Sequence, residues 1–179
     1  MHVIAQITNF NSIRLIPDMN FTCSGAIKMV TVTGMLKRGG QRKPIKLQTW
    51  RPENATEYGR YHQVNSIELP SNVCKMDKLK KMMFQQTDIQ FSEYVCVLKN
   101  DVQMLVEPGD ILGLEIPTKP NANFELYSLT ESGLTNYIFE RTHDLQLSTI
   151  DLCNRTNETT VLPLVRVTVK VNPSRTGEY

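Results

Sequence analysis

No apolar run in this 179-residue chain approaches eighteen residues, so none of it reads as a membrane-spanning helix. An excess of one charge is also missing. Twenty Lys and Arg against eighteen Asp and Glu leave a net charge of +2, too little for the basic stripe that nucleic acid binding requires. Histidine is scarce: His2, His62 and His143 stand apart, with no nucleophile motif around them and no partner at metal-ligand spacing. His143 and Asp144 are neighbours, but successive strand residues point to opposite faces, so adjacency does not make them a pair. There is no Cys-x-x-Cys or His-x-x-x-His, which removes the usual zinc spacings, and no Gly-x-Ser-x-Gly elbow or phosphate-binding glycine loop. With these absences, neither enzymatic activity nor a cofactor or metal is expected.

What the chain does contain is alternation. Val161, Val165, Val167, Val169 and Val171 share one parity while Arg166, Thr168 and Lys170 share the other, which predicts a half-buried antiparallel strand over 161–171. Weaker period-2 segments fall near 2–8, 26–36, 45–50, 61–69, 93–98, 101–106, 111–116, 124–129, 136–141 and 145–150. About ten short strands predict an all-β domain, a two-sheet antiparallel sandwich of jelly-roll type, because a single open sheet would leave one apolar face uncovered. Arg38-Gly39-Gly40-Gln41 supplies a hairpin turn. Glu107-Pro108-Gly109-Asp110 has the Pro and Gly positions of a type II turn. Residues 76–84 fit one short helix or an irregular basic strand equally well. No repeat or interior linker appears, so residues 1–171 are expected to form one domain, with 172–179 a polar linker or chain end.

Four Asn-x-Ser/Thr acceptor triplets, at Asn20, Asn54, Asn154 and Asn157, accompany four cysteines. N-glycosylation sites together with an even cysteine count predict an oxidising, extracellular compartment. The amino terminus lacks a basic segment followed by an apolar stretch, so a secreted parent is expected to be longer or to have lost its leader. Sequence allows three disulfide connectivities. Cys74 with Cys96 is the favoured pair, because it would tie down the irregular Met-rich segment between them, leaving Cys23 with Cys153. The alternative is four reduced core thiols.

The densest aromatic and cationic stretch is Trp50-Arg51-Pro52, followed by Tyr58, Arg60, Tyr61 and His62. Interfaces concentrate aromatics and Arg, and sugar rings stack on aromatic faces, so Trp50, Arg51, Tyr58, Arg60 and Tyr61 form the candidate ligand-binding set. Alternation through Ile45, Leu47 and Thr49 turns Lys46, Gln48 and Trp50 to the outward face, although a lone Trp is more often a core residue. Glu107, Asp110 and Glu115 cluster around the turn as conceivable calcium ligands, with a plain solvated turn as the simpler reading. Two basic groups, Lys37, Arg38, Arg42, Lys43 and Lys78, Lys80, Lys81, either attract an acidic or sulfated partner or simply keep strand edges soluble.

In order along the chain stand Ile16-Pro17-Asp18-Met19-Asn20-Phe21-Thr22-Cys23-Ser24-Gly25, Trp50-Arg51-Pro52, Val106-Glu107-Pro108-Gly109-Asp110-Ile111-Leu112-Gly113-Leu114 and Thr160-Val161-Leu162-Pro163-Leu164. This order resembles an extracellular β-sandwich module of receptor-like and cell-surface proteins of early-branching animals. The resemblance spans residues 13–171, with 76–86 outside its motifs, and those motifs mark structure rather than ligand contacts. The Pro-Gly turn is similar to turns in carbohydrate-binding jelly rolls, a likeness of fold only. Together these readings predict a non-enzymatic recognition or adhesion module of an ectodomain, with a protein or glycan ligand at the cell surface. The alternative is a jelly-roll carbohydrate-binding module that uses Trp50.

Overall fold

A computed structural model of the chain describes residues 3–6, 11–37, 41–53, 59–69, 74–84, 87–99, 104–130, 136–140, 149–152, 158–159 and 161–171. Fifteen strands are found among them. The first half holds β1 (Val3–Gln6), β2 (Ser12–Asn20), β3 (Gly25–Leu36), β4 (Ile45–Pro52), β5 (Arg60–Leu69), β6 (Cys74–Phe84) and β7 (Thr87–Val97). The second holds β8 (Met104–Val106), β9 (Ile111–Ile116), β10 (Phe124–Thr130), β11 (Asn136–Glu140), β12 (Thr149–Asp151), β13 (Glu158–Thr159), β14 (Val161–Pro163) and β15 (Val165–Val171). Helix among the described residues is limited to the single 3-10 turn Lys119–Asn121. No helix there is long and apolar enough to cross a membrane.

The strands form two antiparallel sheets, an all-β sandwich as the alternation predicts. One sheet runs β1-β10-β3-β7-β6, with β14 also paired to β10, and with β15 and β8 also paired to β3. The other runs β12-β5-β4-β9-β2-β11-β13. The main core joins Ile27, Val30 and Val32 of the first sheet to Leu47, Leu112 and Leu114 of the second, all fully buried. Two asparagines tie the layers together. Asn65 on β5 donates to Leu105 O at 2.8 Å, across to β8. Buried Asn123, just before β10, accepts from Ile45 N at 3.2 Å and donates to Leu69 O at 2.8 Å.

Several strands differ from the sequence expectation for identifiable reasons. The segment 161–171 is two strands rather than one: β14 pairs with β10, and β15 pairs with β3. The chain changes partner at Leu164, whose N donates to Tyr127 O and whose O accepts from Thr33 N, both at 2.9 Å. Residues 76–84 belong to a strand, β6, with a register shift between Met76 and Lys78 that accounts for the broken alternation. β2 gives little sequence signal because Pro17 interrupts it. Between Ile16, opposite Leu112, and Asn20, opposite Ile111, the ladder to β9 skips three residues, and Pro17 sits there, where no ladder bond is required of it.

Candidate functional site

Of the candidate ligand-binding set, Trp50 and Tyr61 fall on the outer face of the second sheet, and that face carries a core of its own. Trp50 stands opposite Ile111 in the β4–β9 ladder. It packs with Ile13, Leu15, Ile111 and Ile150, with Tyr61, Phe139 and Leu152 against them. Alternation is therefore right about the direction of Trp50, and the expectation that a lone Trp is a core residue is right about its exposure, which is 0%. A fully buried indole offers no face to a sugar, so Trp50 leaves the ligand-binding set. Glycine makes the packing possible: a Cβ on Gly113 would lie 2.6 Å from Trp50 Nε1 and 2.9 Å from Leu15 Cδ2. Polar groups complete the layer, since Trp50 Nε1 donates to Gln48 Oε1 at 3.1 Å and Gln48 Nε2 donates to Glu115 Oε2 at 3.1 Å.

Arg51 is equally committed. Its Nε donates to Asp110 Oδ1 at 2.7 Å and a terminal nitrogen donates to Oδ2 at 3.0 Å, a bidentate fork on a carboxylate with no exposed surface. The other terminal nitrogen meets Glu107 Oε2 at 2.8 Å. The Asp110 hydrogen bond, reinforced by the charges of Asp110 and Glu107, holds the guanidinium above its already high ordinary pKa. The fork locks the Pro-Gly turn. Gly109 has φ of 90°, as a type II turn requires, and Asp110 N donates back to Glu107 O at 3.1 Å. Asp110 Oδ2 also accepts Glu107 N at 2.9 Å. Phe21 clasps the turn from the end of β2: its N donates to Asp110 O and its O accepts from Gly109 N, both at 2.8 Å.

These bonds decide between the two readings of the turn carboxylates. Asp110 and Glu107 both pair with Arg51, and Glu115 is engaged by Gln48 and by Lys46 at 3.5 Å, so the three do not converge on a cation. Among the described residues no group of three His, Cys, Asp or Glu is arranged to hold a metal ion.

The remaining members of the set separate. Arg60 is exposed and pairs with Asp151 at 3.6 Å. Tyr61 lies half-buried against the outer core, and burial, with a smaller contribution from Tyr137, pushes its phenol above the ordinary value. Tyr58 lies outside the described residues. The first basic group is likewise partly tied down. Lys37 pairs with Glu125, and Arg42 donates to Pro120 O at 2.6 Å. Arg38 lies outside the described residues.

Cys74 and Cys96 are directly opposite in the β6–β7 ladder and form a disulfide, both buried in the main core, as expected. Cys23 carries a free, half-buried thiol, and its expected partner, Cys153, lies outside the described residues. Of the four glycosylation triplets, Asn20 is described, exposed at the end of β2, while Asn54, Asn154 and Asn157 lie outside.

Sequence reading missed one buried cation. Arg14 stands opposite Leu114 in the β2–β9 ladder, shares its inward face, and is only 2% exposed. Burial lowers its pKa to about 10. The available signal is a lone charge inside the apolar run Ile13-Arg14-Leu15-Ile16.

Clefts open on the surface of the described residues. One, of about 330 Å³, is lined by Lys43, Lys46, Glu68 and Glu115 among others and has no aromatic wall. Another, of about 250 Å³, lies between the β2–β3 connection and β15. Comparison of the chain with protein families, with curated proteins and with solved structures finds no match.

Proposed function

We propose that this domain is a non-enzymatic recognition or adhesion module of the extracellular part of a larger secreted or cell-surface protein. The observation that carries the reading is the Cys74–Cys96 disulfide and its place in the fold. A cross-strand bridge is stable in an oxidising compartment, and an exposed Asn-Phe-Thr triplet at Asn20 fits the same location.

The bridge also stands at the root of a β-ribbon. β7 pairs with β3 from Val97 back to Ser92, whereas residues Thr87 to Phe91 pair with β6 beyond the last β3 partner, Gly34. β6 is the terminal strand of its sheet and carries Lys75, Lys78, Lys80 and Lys81 against one Asp77. The sequence of this outer strand is cationic, and that charge would suit an acidic partner at the cell surface. The carbohydrate-binding alternative loses its stacking residue with the burial of Trp50.

The test is cell binding by the fluorescently tagged domain, secreted from animal cells, with a Lys78→Glu, Lys80→Glu, Lys81→Glu variant alongside. Saturable binding that the variant loses while keeping its circular dichroism supports the reading. Binding no greater than that of an unrelated β-sandwich overturns it.

A further inference from the structure

We propose that Asn20 carries an N-linked glycan whose first N-acetylglucosamine seats in the adjoining cleft and covers the thiol of Cys23. The proposal rests on the extracellular reading above. The triplet is presented for modification: Asn20 and Thr22 are exposed, and Phe21 between them is buried and anchored to the Pro-Gly turn by two backbone bonds. Attachment is a transfer from a lipid-linked oligosaccharide diphosphate. The bond from Asn20 Nδ2 to the sugar C1 forms as the C1–O bond to the diphosphate breaks, the amide loses one proton, and the lipid diphosphate leaves.

The cleft of about 250 Å³ begins at the modified residue. Asn20, Thr22 and Cys23 supply its polar lining, and Met19, Phe21, Leu112, Val167 and Val169 its apolar walls. Leu112 and Phe21 are buried members of the main core, and the half-buried Met19, Val167 and Val169 packed against it form the apolar surface that the cleft leaves open to solvent. N-acetylglucosamine suits such a site, because it has an apolar ring face and an acetyl methyl on one side and hydroxyls on the other. Covalent attachment at the rim keeps the sugar at high effective concentration, so even a weak intrinsic affinity fills the cleft. Cys23 lines the same cleft and reports on its occupancy.

The experiment uses protein secreted from animal cells as wild type, Thr22→Ala, and wild type treated with peptide N-glycosidase. Mass spectrometry of the peptide containing Asn20, deglycosylated in heavy-oxygen water, gives occupancy. Maleimide labelling of Cys23 gives cleft access. Nuclear Overhauser contacts between the first sugar's acetyl methyl and the methyls of Leu112, Val167 or Val169 give seating directly, whatever the redox state of Cys23. Expected results are an occupied Asn20, thiol labelling several-fold slower in the glycosylated form than in the other two, and at least one such contact. An unmodified Asn20 on a protein glycosylated elsewhere overturns the inference and leaves the compartment reading standing. So does an occupied Asn20 without methyl contacts. A protein that is not secreted and carries no glycan at all overturns both.

Discussion

Replacing Gly113 with Ala should destabilise the domain, and the geometry sets the size of the effect. The added methyl would lie 2.6 and 2.8 Å from Trp50 Nε1 and Cδ1 and 2.9 Å from Leu15 Cδ2. Ordinary carbon contacts are about 3.5–4.0 Å, so the indole must retreat by about 1 Å. It has no solvent to retreat into, being fully buried, and it is held by its bond to Gln48. Overpacking a rigid ring costs about 1–3 kcal/mol, and loosening the Nε1 bond adds about 1 kcal/mol. The smaller conformational freedom of Ala in the unfolded chain returns about 0.4–1 kcal/mol. We expect a net loss of about 2 kcal/mol. Urea unfolding followed by the fluorescence of Trp50, the chain's single tryptophan, measures it. In a Trp50→Phe background, followed by circular dichroism, the smaller ring should cut the cost of Gly113→Ala to below about 1 kcal/mol, a coupling read from the double-mutant cycle. If Gly113→Ala unfolds at the wild-type midpoint with unchanged emission, Trp50 does not pack on Gly113 and the outer core is wrong.

Variants at three other places probe separate parts of the fold. Arg51→Ala should cost about 2–3 kcal/mol in urea unfolding, because it strands the buried Asp110 carboxylate, with a discount for the part-exposed guanidinium. Arg51→Lys should rescue only part of this, since an ammonium cannot make the two-bond fork, and Glu107→Ala, at the exposed end, should cost less than about 0.5 kcal/mol. Replacing Cys74 and Cys96 together by Ser should cost about 3 kcal/mol, the loop-closure value for a bridge spanning 22 residues, read as a lower urea midpoint. The Tyr61 phenol titrates above its ordinary value, so the stability it contributes is intact below pH 10 and is lost as pH rises through the elevated value. Thermal unfolding from pH 9 upward should therefore fall more steeply for wild type than for Tyr61→Phe; parallel curves would show that the phenol is not sheltered.

The parts of this fold legible in the sequence are those set by local chemistry. The alternation of β9 and β10 and the Pro-Gly turn follow from residues that act on their immediate neighbours, and the Cys74–Cys96 pair closes a separation of only 22 residues between consecutive strands. The exposure of Trp50 is another matter. A single strand's pattern gives the direction of a side chain, but what lies over it comes from Ile13, Leu15, Ile111 and Ile150, brought together only by the strand order β5-β4-β9-β2 and the β12 edge. β2 is obscured for a related reason. Ile13 and Leu15 face the outer core while Ile16 stands opposite Leu112 of the main core, so apolar residues occupy both faces and the period-2 contrast disappears. The candidate site suffers most from these long-range effects. Arg51 reads as a free cation in sequence, and only the packing of the turn beside β4 reveals that Asp110 takes it up.

The most direct test of the extracellular reading is intact-mass and non-reducing peptide analysis of the domain secreted from animal cells. We expect glycan mass removable by peptide N-glycosidase, with Asn20 among the sites, and a peptide pair joined through Cys74 and Cys96. Four alkylatable thiols and no glycan mass on the protein would contradict it.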